Sequence, residues 1–179
     1  MKKATLTLGA GLILLTGWLL VPGIASAQAL KTPIEGRWVS CFDLGEPERE
    51  WVDEDGIIHV RGQRYRCRHD GDIVGREDGV FGLDFDLDGG VRFARGTSSF
   101  GGQILGEPAT ATGHWTNECI GTEGEEFFTC IEEDLWHLED GRLLKFTVTF
   151  MGPAPFPRPY TGILLDPPGL RLGVRQLRR

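Results

Sequence analysis

Residues 142–150 read RLLKFTVTF. Leu144, Phe146, Val148 and Phe150 fall on one side of an extended chain, and Lys145, Thr147 and Thr149 on the other. A period of two suits a strand with one buried face and does not suit a helix. The same grammar recurs in IIHVRGQRYRC and in VFGLDFDL, with Asp-Gly pairs at 55–56, 70–71, 78–79, 88–89 and 140–141. Asp and Gly tolerate the positive φ of a type I′ turn, so each pair reads as a hairpin signal. The Gly-rich stretch GTSSFGGQ reads as a further turn. IEEDLWHLED is the best helical candidate after residue 27; it is short and lies between hairpin signals, so it reads as a strand. Many strands with turns every 8 to 15 residues predict an all-β domain. A meander of adjacent hairpins favours a small antiparallel β-barrel, because closure removes exposed edges.

The first 27 residues follow a different pattern. Lys2 and Lys3 precede an uncharged, mostly apolar run from Ala4 to Val21, then a Pro22-Gly23 break and the small residues Ala25-Ser26-Ala27. That order predicts a secretory signal peptide over 1–27, cut after Ala27. An uncleaved anchor is the alternative, but the run is near the lower length limit for a span. No Cys follows the cut, so no lipid anchor is expected. Residues 28–166 then form one domain with a loose lead-in at Gln28–Pro33, and 167–179 a basic tail or edge strand. Met151–Tyr160 carries four prolines and reads as a loop, with TGILLD as the last strand. The leader holds two of the 19 basic residues and no acidic one, so the remainder has 17 basic against 26 acidic groups, net −9. Such a balance argues against a nucleic-acid partner. Cys41, Cys67, Cys119 and Cys130 all lie in the exported part and predict two disulfides in a periplasmic or secreted protein. Of three possible pairings, Cys41–Cys67 and Cys119–Cys130 join neighbours in a meander.

Candidate chemistry is sparse. FGLDFDLDGG contains D-x-D-x-D-G at Asp84, Asp86 and Asp88, the opening of a calcium loop. The twelfth position from Asp84 is Arg95, not Glu, and the flanks alternate with period two. The stretch therefore reads as a strand running into a turn, with Phe81, Leu83, Phe85 and Leu87 on one face, and Arg92 available to the acidic face. In RYRCRH, Arg64, Arg66 and Arg68 share a face opposite Tyr65 and Cys67, as an anion-binding strip or a solvated face beside the DFDLD segment. His59, His69, His114 and His137 show no metal-ligand spacing. Glu125-Glu126 and Glu132-Glu133-Asp134 read as polar turns beside the Cys119–Cys130 hairpin. No cofactor motif is present. Trp51, Trp115 and Trp136 are candidate pocket linings, large and apolar with one donor each.

IEGRWVSC places Gly36-Arg37-Trp38 on the first strand. This G-x-W resembles the opening of lipocalins and of the related avidin-like barrels. The resemblance implies a meander barrel in which Trp38 closes one end, a late arginine (Arg171 or Arg175) packs over it, and a ligand enters the other end. Tyr65-Arg66-Cys67 resembles small periplasmic lysozyme-inhibitor barrels, also exported and disulfide-bonded. The leading expectation is a non-catalytic binding protein for a small apolar or amphipathic ligand, or for an envelope protein at the rim. The alternatives are a barrel-based hydrolase or isomerase, and an interaction protein or inhibitor with a filled barrel.

Overall fold

A computed structural model describes residues 29–86, 91–121, 128–152 and 156–167. The strands are β1 (Leu30–Asp43), β2 (Arg49–Val52), β3 (Ile57–Gly71), β4 (Ile73–Asp86), β5 (Val91–Ile104), β6 (Glu107–Ile120), β7 (Phe128–Leu138), β8 (Leu143–Gly152) and β9 (Arg158–Asp166). All pairings are antiparallel, in the sheet order β1-β9-β8-β7-β6-β5-β4-β3-β2. β1 also pairs with β3 and closes the ring. Short β2 lies along the same edge of β3, opposite Ile58–Arg61, so it prolongs the path of β1. The result is a closed eight-stranded antiparallel barrel in up-and-down order. The expected signal peptide and the tail beyond residue 167 lie outside the described residues.

Alternation sets the inner face. On β8, Leu144, Phe146 and Val148 are buried and Lys145 and Thr149 point out. Gly56 and Gly141 take the positive φ that their hairpins require. Other turn readings need correction. Asp78-Gly79 lies inside β4, and Gly96–Gln103 lies inside β5. The β5–β6 turn is instead Leu105-Gly106, both with positive φ (53° and 78°). Leu is not a turn-forming residue, so local composition passes over it. Asp88-Gly89 is outside the described residues. Leu30–Pro33 of the expected lead-in is part of β1, which pairs with β9 from Leu30↔Asp166 onward, and Gln28 lies outside the described residues. The proline-rich loop is shorter than expected, because Pro159 already pairs with Arg37.

The glycines inside strands have a different task. Tyr160 lies directly across from Gly36, Tyr65 from Gly79, Trp115 from Gly96 and Trp136 from Gly113. A Cβ on any of these glycines would collide with the facing ring; at Gly96, Trp115 Cε2 would lie 2.6 Å from it. Glycine within a strand marks such close approach.

The lumen has two unlike halves. Towards the β3–β4, β5–β6 and β7–β8 turns it is filled by an apolar plug that includes Ile34, Trp38, Ile73, Phe100, Ile104, Trp136, Leu144 and Phe146. The other half holds a smaller cluster of Tyr65, Cys67, Ala94 and Trp115. Both disulfides form as expected, Cys41–Cys67 between β1 and β3 and Cys119–Cys130 between β6 and β7, with Cα separations of 4.1 and 4.0 Å. They brace opposite walls and each contributes roughly 3 kcal/mol by loop entropy.

Seating rings on glycines makes a sharp prediction. Gly113→Ala forces Trp136 from its place and destabilises the barrel by about 1–3 kcal/mol in urea unfolding. Gly101→Ala, where nothing stands within 4 Å of the new carbon, changes stability by no more than about 0.5 kcal/mol. Equal effects at both positions would contradict the seating argument.

Candidate functional site

The site begins with strand parity. Cys130, Trp136 and Leu138 must face the lumen, and with a period of two Glu132 and Asp134 go in with them. The expected polar turn at Glu132-Glu133-Asp134 is thus a strand with two of its three acids buried. On β4, Glu77 enters the same way, only 1% exposed.

Glu77 is fully engaged. Tyr65 Oη donates to Oε1 at 2.6 Å, and His69 Nε2 donates to Oε2 at 3.0 Å. Trp115 Nε1 donates to Tyr65 Oη at 2.6 Å. Burial, followed by the charge of Glu77, pushes the Tyr65 phenol above its ordinary range, so it remains a donor. His69 is surrounded by the rings of Trp38, Phe100, Trp136, Phe146 and Tyr160, with centroids 5.4 to 6.3 Å away. Glu77 therefore ties the plug to the other half.

Glu132 and Asp134 are held differently. Asn117 Nδ2 donates to Glu132 Oε2 at 2.8 Å. Burial pushes the Glu132 carboxyl up to about 8, against the opposing Asn117 hydrogen bond and the more distant charges of Arg158 and Arg92. Neither oxygen of Asp134 has a hydrogen-bond partner among the described residues. The indole of Trp136 is close to Asp134 but its N–H makes no well-formed bond to it. Burial first, then Glu132 and Glu77, raises the Asp134 carboxyl well above its usual range. A buried carboxyl without a cation takes the neutral form.

Beside this cluster lie two adjoining cavities of about 360 and 240 Å³. They share Phe81, Trp115, Glu132 and Arg158. Arg92 lines the larger, and Asp43 and Trp38 the smaller. The Arg158 guanidinium stands 3.9 Å from the Phe150 ring centre and 4.5 Å from that of Phe156. Burial lowers the pKa of Arg92 and of Arg158, although guanidinium stays charged at any working pH. Burial raises that of Asp43 against the pull of Arg92.

Of the residues singled out from sequence, Trp115 lines the pocket, Trp136 is fully buried in the plug, and Trp38 spans plug and pocket wall. Trp51 is elsewhere. It lies on the outer wall, stacked on His59 at 4.8 Å, with Arg49 and Arg61 over its ring. Arg64, Arg66 and Arg68 also face outward, because Tyr65 and Cys67 take the lumen. Their neighbour is Arg76–Val80 rather than DFDLD, and Arg66 pairs with Asp78 at 2.6 Å. Arg92 needs the opposite correction. It faces Phe85 in register and so belongs to the inner parity, while Phe93 is turned out and 38% exposed.

Asp84 is on the outer face, where it receives His59 Nδ1 and Arg61 Nη2, both at 2.6 Å. Burial opposes its ionisation, but these two contacts hold its carboxyl low. His59 Nε2 also contacts Asp53 at 2.8 Å, and the two carboxylates, Asp53 first, raise the imidazole pKa. Asp86 is on the same strand and Asp88 lies outside the described residues, as do Glu125, Glu126, Arg171 and Arg175. No group able to hold a metal ion occurs among the described residues. The four histidines do not converge. Sequence patterns alone do not mark Glu77, Glu132, Asp134 and Arg158 as site residues; the parity of Cys130 and Trp136 is the available signal for two of them.

Searches against protein-family models, curated proteins and solved structures find no match.

The buried acids fix a pH dependence. Glu132 and Asp134 bind protons more tightly folded than unfolded. The stability they support is therefore complete below their unfolded values near 4 and is lost as pH rises, for Glu132 through about 8. His59, also raised, acts in the same direction. The urea midpoint should fall between about pH 5.5 and about pH 9, and Glu132→Gln should flatten that fall. A variant with the wild-type slope would show that Glu132 is not the titrating group.

Proposed function

We propose that this protein is a non-catalytic binder that holds a small amphipathic ligand in the half of the barrel not filled by the plug, in an oxidising compartment outside the cytoplasm. The observation that carries this reading is the division of the lumen. One half is packed with side chains; the other retains adjoining cavities of about 360 and 240 Å³ walled by aromatic rings and two arginines. Aromatic walls together with a convergent set of polar groups, Arg92, Asn117, Glu132 and Arg158, are typical of small-molecule sites. The two disulfides support an extracytoplasmic location. The G-x-W resemblance agrees with a barrel that carries a ligand, although fold alone does not assign function.

A second reading, an acid-base enzyme of the hydrolase or isomerase kind, draws on one feature. Glu132 stands on the pocket wall with a carboxyl pushed up to about 8, a value suited to proton transfer near neutrality.

Native mass spectrometry of the protein purified from its own cells separates these. A binder carries a mass excess that disappears on unfolding, and the extracted compound returns unchanged after incubation with the protein. Adding it back should alter tryptophan fluorescence in wild type and in Trp51→Phe, and much less in Trp115→Phe. Conversion of the compound, abolished by Glu132→Gln, would establish the enzyme instead. A bare folded mass with no fluorescence response would end the binding proposal.

A further inference from the structure

We propose that the outer wall of β1, β3, β4 and β5 docks an acidic segment of another protein, with a carboxylate between Arg68 and Arg76 and an apolar residue against Phe42 and Val74. This surface is on the outside of the barrel, and the proposal does not depend on the binding reading above.

Strand register sets the charges of this wall. Phe42, Arg66, Asp78 and Ser99 form one row across the four strands, and Ser40, Arg68, Arg76 and Gly101 form the next. In the first row charge is matched, because Arg66 Nε donates to Asp78 Oδ1 at 2.6 Å. On the far side of the second row, Arg37 Nε donates to Asp70 Oδ2 at 3.1 Å. The second row itself sets two cations directly opposite each other, an unfavourable cross-strand pair. Arg76 reaches diagonally to Asp78, Nε to Oδ2 at 2.7 Å, a carboxylate that Arg66 already holds. Arg68 has no ion pair among the described residues, and neither has Arg64 on the same face of β3.

The second row is open as well as cationic. Only Ser40 and Gly101 flank its arginines in register, and a carbon added at Gly101 would meet nothing within 4 Å. A groove of about 610 Å³ follows this part of the wall, with Phe42, Arg66, Arg68, Val74, Arg76 and Asp78 in its lining. A carboxylate that enters between Arg68 and Arg76 meets guanidinium donors, whose planar fork matches it. It also relieves the repulsion between them.

The composition of the groove points to a protein as the partner. An exposed ion pair contributes little alone, so apolar contact has to accompany it. Phe42 and Val74 supply that contact, 49% and 46% exposed beside the arginines. Aromatic residues together with arginine are the usual anchors of protein interfaces. Nucleic acid and anionic lipid surfaces select for a broad positive field, whereas this chain carries a net charge of −7. Its remaining charge would oppose an extended anion and leaves a compact acidic segment as the fit.

The test places a photocrosslinking benzophenone side chain at Val74 of the full chain in its own cells, with the same group at Lys145, exposed on β8, as the control. Mass spectrometry maps each adduct. The Val74 position should join a different protein through a segment that carries Asp or Glu, and the Lys145 position should not. Arg68→Gln should reduce that adduct about tenfold, and a synthetic peptide of the mapped segment should bind the purified, oxidised variant about tenfold more weakly than wild type. Binding to wild type should weaken as salt rises from about 0.05 to about 0.5 M. Arg68→Glu should abolish binding, and Lys in place of the acid of the peptide should restore it. Arg68 makes no ion pair within the barrel, so these variants keep the fold, as circular dichroism can verify. No adduct, an equal adduct from Lys145, or an adduct to a second copy, a lipid or a polysaccharide overturns the proposal. So does a contact segment without a carboxylate, or an adduct indifferent to Arg68.

Discussion

Large rings need somewhere to lie inside a narrow barrel. Eight strands leave a lumen just wide enough for side chains to fill or for one small ligand. Here each of Tyr65, Trp115, Trp136 and Tyr160 rests over a glycine on the adjoining strand, at Gly79, Gly96, Gly113 and Gly36. The arrangement does three things at once. It lets four bulky residues enter without forcing the walls apart. It locks the register of each strand pair, since a slip by one residue would set a ring against a Cβ and turn the inner face outward. It also explains glycines in the middle of strands, where they would otherwise weaken the sheet.

The polar groups of the lumen follow from that packing. Trp115, seated on Gly96, has its N–H aimed at Tyr65; Tyr65, seated on Gly79, has its hydroxyl aimed at Glu77. His69 completes Glu77 from the plug side. A buried carboxyl with both oxygens engaged is tolerated, whereas buried ionised acids without such partners are not. Glu132 and Asp134 are accordingly driven towards their neutral forms, by burial above all. The barrel thereby acquires an apolar plug, a polar layer and a cavity lined by two arginines, Glu132 and Asp43. The outer wall is organised separately, with His59 between Asp53 and Asp84 and Trp51 stacked on it.

Several features are legible in particular residues. RLLKFTVTF forms β8 from Leu143 onward, and Leu144, Phe146, Val148 and Phe150 share the lumen side. IEEDLWHLED is a strand despite its helix-forming composition. The cysteines pair with sequence neighbours because a meander brings those neighbours into register, Cys41 opposite Cys67 and Cys119 opposite Cys130. Glycine misleads where it does not turn the chain. Gly79 and the glycines of Gly96–Gln103 lie within strands, while the β5–β6 turn hides at Leu105-Gly106. Glu132 and Asp134 are legible in principle, since they share the parity of Cys130 and Trp136; their charge suggests solvent, and parity prevails.

Alternation is a local property. By itself the sequence determined that the domain is all β and which residues share a face of each strand; it favoured one of three cysteine pairings, and the structure decided for it. The sequence did not determine which inner faces meet across the lumen. Glu77 on β4 approaches Glu132 and Asp134 on β7 only because β1 closes on both β9 and β3 and fixes the stagger of the ring. The same closure turns Trp51 outward and Arg158 inward, though nothing in their neighbouring residues distinguishes them. The protonation of the acids is likewise a tertiary outcome, because it is set by how far each is removed from water and by which charges face it across the barrel.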